Sequence, residues 1–409
     1  MFKLEKGKVM IFSLALIFLF GLIMSAICQK LKLPGIIGMM FTGILLGPFV
    51  LDLLEDPILD ISKDLRQIAL IIILIKAGLS LDIDVLKKVG RPALLMSFVP
   101  ATCEIIGYVL LAPKILGVTT QEAALLGAVI AAVSPAVVVP RMVKLMESGW
   151  GTKQGIPQII TAGASCDDIF VIVLFTAFLG SVKNNSMNLT SLLDIPVSVV
   201  SGAIIGAVTG FVLAMLFEYF FNHGKHIRNS VKVIIILGVS FLLVSLEKAL
   251  EGHWAVSGLL AVITMAAVFK SKGAGTVSQR LAEKFGKLWL AAELLLFVLV
   301  GAAVDIRYTL ATGLPAVILI LLCLIFRGMG VFISLLGTKL NKKERIFCIM
   351  SYMPKATVQA AIGSVPLAAG LGCGQTILSV AVLAIIITAP LGALLIDHNY
   401  TKLLKKEDF

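Results

Sequence analysis

The chain has 409 residues, of which 59% are hydrophobic, 14% are charged and 36 are glycine. Soluble domains carry about 25% charged residues, so this chain lacks the charge to coat a water-facing surface, and its mean hydropathy of +1.03 makes lipid the solvent for most of it. With five tyrosines and 7% aromatics it offers no stacking surface for nucleic acid, so the formal charge of +11 reads as a topology signal, because Lys and Arg gather in cytoplasmic loops.

A spanning helix needs about 20 mainly apolar residues. In chain order such segments fall near 9–28, 33–54, 66–82, 93–113, 121–145, 156–182, 192–221, 230–250, 253–270, 286–305, 313–338, 343–365 and 374–397. The expectation is an all-α polytopic membrane protein of about thirteen transmembrane helices, with 1–409 forming one transporter domain. The first apolar run continues to about Cys28 without a small-residue cleavage site, so it reads as a retained helix. With the N-terminus outside, the inner loops hold 23 Lys and Arg against 9 on the outer side. That excess places the C-terminus in the cytoplasm, and short tails fit a bacterial inner membrane. Six cysteines form no CxxC pair, which argues for packing residues over a disulfide frame or zinc site.

Two stretches resemble each other: 68–86, IALIIILIKAGLSLDIDVL, and 293–310, ELLLFVLVGAAVDIRYTL. Both run apolar, then small residues, then an Asp at the helix exit, Asp82 or Asp305, and each of these is followed 22 residues on by an intramembrane charge, Glu104 or Arg327. Each half then carries a proline inside a span, Pro135 after Ser134 and Pro354 before Lys355. The copies begin at the third and tenth spans, an odd separation, so they enter the membrane from opposite faces. This is an inverted-topology repeat, the layout of several secondary transporters, whose ion sites lie at midplane beside broken helices. Proline removes a backbone donor and clashes with the preceding turn, so Pro135 and Pro354 predict two broken helices that cross.

An ionised group at the centre of a span costs about 2.5–3.5 kcal/mol on insertion scales. Five stand out: Glu104, Asp167, Asp168, Arg327 and Lys355. Three are acidic and two basic, so pairing leaves one carboxylate over. Asp167 and Asp168 are neighbours in a helix, about 100° apart, so one can face a cation while the other faces a water-filled cavity. Two carboxylates this close bring proton uptake into competition with cation binding. Glu104 and Arg327, at matching places in the two halves, predict a salt bridge. Adjacent aspartates on one helix cannot form an aspartyl protease site, a passive channel needs no titratable pair, and no polar cluster is large enough for an organic substrate. No enzyme activity and no cofactor is expected.

LPGIIGMMFTGILLGP (33–48), VSPAVVVP (133–140), GASCDDI (163–169) and PKATVQAAIGS (354–364) together resemble the monovalent cation/proton antiporter superfamily. The likeness is nearest to its sodium/proton antiporter branch with paired aspartates, the NHA group, and it covers nearly the full chain in order. It implies thirteen helices, a dimerisation domain (about 9–54 and 192–270), a mobile core domain (about 66–182 and 286–397) and elevator-type alternating access in a homodimer. Transported Na⁺ or Li⁺ would exchange for H⁺ in the service of pH homeostasis; K⁺/H⁺ exchange or sodium-coupled symport on a similar fold is the alternative. The resemblance makes Asp168 the ion-binding carboxylate and Asp167 its paired neighbour; Ser134, at the first helix break, is a further candidate ion ligand. The resemblance also makes Lys355 a partner of Asp167, and Glu104 with Arg327 a charged pair of the core. Some bacterial relatives carry a lysine where this chain has Arg327, a departure that bears on the exchange ratio because arginine stays protonated.

Overall fold

A computed structural model describes residues 10–31, 33–80, 90–184, 189–224, 227–250, 254, 256–273 and 275–406. Asp82, and with it the first half of the repeat spacing, lies outside them. The helices in chain order are α1 (Met10–Lys30), α2 (Gly35–Leu46), the short α3 (Asp56–Asp60), α4 (Ser62–Ser80), α5 (Arg91–Met96), α6 (Val99–Leu116), α7 (Thr120–Ile130), α8 (Pro135–Glu147) and α9 (Ile156–Asn184). They continue as α10 (Leu189–Asn222), α11 (Asn229–Ala249), α12 (Gly258–Lys272), α13 (Gly275–Ala302), α14 (Ile306–Ser334), α15 (Lys342–Ser351), α16 (Thr357–Gly363), α17 (Val365–Ala368) and α18 (Gly374–Leu403). Among the described residues nine helical stretches are long and apolar enough to cross a membrane by length and composition. The other four expected spans miss that standard for physical reasons. α2 and α12 are short, α4 carries Lys63, Asp64, Arg66 and Lys76, and the 342–368 stretch is cut by its break.

Local chemistry fixes several helix starts. Thr119 and Glu122 form a reciprocal capping box at α7, the Thr119 amide donating to Glu122 Oε2 at 2.8 Å, and Asn341 with Glu344 does the same for α15. Asp305, expected at the exit of one helix, caps the next: its Oδ1 accepts from the amides of Arg307 and Tyr308 at the start of α14.

Two sets of helices emerge from the packing. α1, α2, α4 and α10–α13 lie on one another; α5–α9 and α14–α18 form the second set. The sequence grouped α4 and α13 with the ion-translocating helices, but the structure packs them on each other and on α2 and α12. Backbone contact explains that choice. A Cβ on Gly43 of α2 would lie 2.8 Å from the Val298 carbonyl carbon of α13, and one on Gly78 of α4 would lie 2.6 Å from the Ile263 carbonyl oxygen of α12. Small residues permit such close approach where helices have no water to exclude.

Candidate ion-binding site

The two broken helices are α7–α8, interrupted at 131–134, and α15–α16, interrupted at 352–356. Pro135 opens α8 as its first residue, where its missing amide costs nothing, and it holds Ser134 extended at φ −88°, ψ 108°. Pro354 lies within the second break. The breaks meet directly, because the Ser134 amide donates to the Pro354 carbonyl at 2.8 Å. Both prolines therefore interrupt helices as expected, and the interruptions cross.

Buried backbone groups freed by a break need partners, and side chains of α9, α14, α16, α18 and the second break itself supply them. The Ala131 carbonyl accepts from Arg327 Nη1 and from Lys355 Nζ, the latter at 3.3 Å. Gln359 Nε2 donates to the carbonyls of Ile130 (3.1 Å) and Ala132 (2.6 Å). The Val133 amide donates to Asp167 Oδ2 at 2.7 Å. At the second break Arg327 Nε donates to the Tyr352 carbonyl, the Lys355 amide donates to Thr388 Oγ1 at 2.9 Å, and the Ala356 amide donates to Gln359 Oε1 at 2.8 Å.

The charges form a chain through the same place. Glu104 Oε2 accepts from Arg327 Nη1 at 2.8 Å and from Lys355 Nζ at 2.5 Å, while Arg327 Nη2 reaches Asp167 Oδ2 at 3.1 Å. All four side chains are essentially inaccessible to solvent. Two acids and two bases thus balance. The Glu104–Arg327 bridge is present as expected. Lys355 is not where the resemblance put it: it pairs with Glu104, and Arg327 is the partner of Asp167. The planar guanidinium fork serves two carboxylates and two carbonyls at once, which a single ammonium cannot do.

Asp168 stands apart. It is 8% exposed, its Oδ1 has no partner, and neither a hydrogen bond nor an ion pair to it occurs among the described residues. The spare carboxylate of the sequence count is therefore Asp168. Other oxygens on these elements are also unsatisfied and buried: Ser134 Oγ at the first break, Asp167 Oδ1, and Thr161 Oγ1. Thr161 lies seven residues before Asp168, on the same face of α9. Hard cations take oxygen ligands, and unsatisfied buried oxygens of this kind are what such an ion requires. No group of three or more His, Cys, Asp or Glu side chains converges on a metal site among the described residues.

A family model described as sodium/hydrogen exchanger, transmembrane, matches residues 14–397. This chain belongs to the sodium/hydrogen exchanger family. It is a transport family, among the monovalent cation/proton antiporters, so the chain is a transporter and not an enzyme. Sodium/hydrogen exchanger 9B2 of Homo sapiens is 35% identical over 392 residues, 91% of this chain and 70% of that protein. Sodium/hydrogen exchanger 9B1 of Homo sapiens is 31% identical over 416 residues, 97% of this chain and 78% of that protein. The sodium proton antiporter MjNhaP1 from Methanocaldococcus jannaschii at pH 8 superposes with a TM-score of 0.80 at 20% identity, covering 96% of this chain and 98% of that one. That likeness shows a shared all-helical, multi-pass membrane fold.

Gln359, Tyr352 and Thr388 were not singled out from the sequence. Gln359 had a signal: it is a lone amide in the apolar run TVQAAIG, four residues past Lys355. Tyr352 contributes a carbonyl and a ring face, 5.1 Å from Arg327 Cζ, which no side-chain pattern announces.

Proposed function

We propose that this family member exchanges Na⁺ or Li⁺ for H⁺ as one of the paired-aspartate antiporters. Asp168 is the carboxylate that takes either the cation or the proton. Asp167 contributes its free Oδ1 to the cation while its Oδ2 stays bound to Val133 and Arg327. Ser134 adds a hydroxyl from the first break. The observation that carries this reading is the unpartnered Asp168 beside a network in which Glu104, Asp167, Arg327 and Lys355 neutralise one another. Proton and cation then compete for one negative charge, so each must leave before the other binds.

Alternating access follows the division of the packing. We assign the moving core to 91–184 and 306–403, and the scaffold to 10–80 and 189–302. The crossing and its charges lie wholly within the first group, so an elevator displacement carries the site intact past the second. Two copies assemble through the scaffold, and the C-terminus faces the cytoplasm, consistent with the basic loops. The test is dequenching of a pH-sensitive dye in proteoliposomes as each alkali cation is added in turn. Na⁺ and Li⁺ are expected to dequench, with an apparent KM that rises as pH falls. A response to K⁺ alone, or one that needs an organic solute, would overturn the assignment.

A further inference from the structure

An apolar groove and a basic loop meet on the outer face of α14. Leu321, Ile325, Met329 and Phe332 follow at helical spacing and are exposed, and with Met353 and Leu391 they line a groove of about 670 Å³. That volume lies within the roughly 300–1,000 Å³ of small-ligand sites. Every lining side chain is apolar. The groove exists because α15 stops at Ser351, so no further turn of it fills the space beside α14, and Gly328 offers no side chain to fill it from below. From Leu321 to Phe332 it follows roughly 16 Å of helix.

One end is strongly basic. Arg345 Cζ lies 5.7 Å from the centre of the Phe332 ring. Its Nη2 donates to the Thr338 carbonyl at 3.3 Å, and its buried Nε has no partner. Lys339, Lys342 and Lys343 are exposed around it. The acid of this loop, Glu344, is buried in the cap of α15 and offsets only one of these four basic side chains. Arg91 reaches the same turn, since a Cβ on Gly337 would stand 3.2 Å from its Nη1.

We propose that this groove is a binding site for an anionic phospholipid, one acyl chain lying along α14 and the phosphate held by Arg345 and the neighbouring lysines. The surroundings select the occupant. The groove opens toward hydrocarbon, where an extended peptide would leave its backbone unsatisfied, whereas an acyl chain has no polar group to satisfy. The basic end then chooses the headgroup, because clusters of Lys and Arg at the membrane surface attract anionic lipid. Met353, which the tail would touch, directly precedes Pro354, so the lipid would sit against the second helix break.

The site depends on membrane insertion and not on which ion is carried, so its test needs no transport assay. The full chain is placed in nanodiscs with a trace of phosphatidylglycerol or phosphatidylcholine bearing the same photoactivatable acyl chain, irradiated, and mapped by peptide mass. Phosphatidylglycerol is expected to label 321–332 and 349–353 several-fold more than phosphatidylcholine. Arg345→Gln should bring that labelling down to the phosphatidylcholine level, and Met329→Trp, which fills the groove from its lipid side, should reduce both. If Arg345→Gln does not fold, the exposed pair Lys342→Gln with Lys343→Gln makes the same measurement. Equal labelling by both headgroups, or phosphatidylglycerol labelling that the charge variants leave unchanged, would reduce the groove to ordinary annular contact and overturn the site.

Discussion

The two helix breaks look alike in sequence and differ in what they bring to the crossing. The break at 131–134 finds its partners through backbone: the carbonyls of Ala131 and Ala132 and the amide of Val133 are each met by a side chain from elsewhere, and its one polar side chain, Ser134, is unpartnered. The break at 352–356 brings a cation, Lys355, together with Gln359 from the turn after it. One break receives and the other gives. The difference shows that an inverted repeat can duplicate a backbone arrangement while distributing charge unequally, which leaves the acids on helices of the first half and the bases on those of the second. Asp167 and Asp168 then repeat the contrast on the scale of one residue, since the first holds two donors on its Oδ2 and the second has none.

Removing the shared donor should break the comparison most severely. Arg327→Leu strips Glu104, Asp167 and the carbonyls of Ala131 and Tyr352 of a partner, and breaking a buried ion pair by removing one partner costs about 3–5 kcal/mol. Thermal melting in detergent is expected to show a large fall or no folded protein, and a near wild-type melt would mean that the network is not what holds the crossing.

The paired aspartates sharpen the contrast. Asp168→Asn is expected to abolish cation-driven proton movement with an unchanged melting temperature, because no partner is lost. Asp167→Asn should lower stability, by weakening the acceptor of Val133 and leaving a surplus of buried positive charge. Measuring transport and melting on both preparations checks the pair; a destabilised Asp168→Asn would place a structural load on it.

Smaller still is Gln359→Leu. It orphans the Ile130 and Ala132 carbonyls, at about 1–3 kcal/mol for buried polar groups left unpaired, and should also lower exchange by loosening the first break. Midway along α8, Arg141 pairs with Asp397 of α18 at 3.1 Å, with side chains 23% and 48% exposed. Arg141→Ala is expected to cost at most about 1 kcal/mol and to leave the cation dependence of exchange intact. A larger effect on either would show that the pairing of α8 with α18, and not the crossing alone, controls the site.

Much of this was legible in the sequence because lipid makes charge expensive. Five intramembrane charges, two prolines and the count of three acids against two bases led to the network, to its crossing and to one spare carboxylate. The choice of partners was not legible. Glu104 and Asp167 are both acids near the same depth, and only the reach of the Arg327 fork decides that Lys355 goes to Glu104. Nor does hydrophobicity tell a scaffold helix from a core helix: what assigns α4 and α13 is close backbone approach at Gly43 and Gly78. Backbone partners such as the Ala131 and Tyr352 carbonyls leave no trace in side-chain patterns at all.

The spacing of the charge network along the chain also governs how the protein is made. Glu104 and Asp167 precede Arg327 by 223 and 160 residues, and Glu104 precedes Lys355 by 251. At about 5–20 residues per second of synthesis, the acids wait roughly 8–50 s for their countercharges. During that interval the first half of the protein lies in or beside the bilayer holding carboxylates that have no cation to meet. Its helices can close early only with those groups unpaired or protonated, and either state forgoes the ion pairs that hold α6 and α9 to α14. The full charge network of the core therefore forms late in biogenesis, at a time set by where Arg327 and Lys355 sit in the chain.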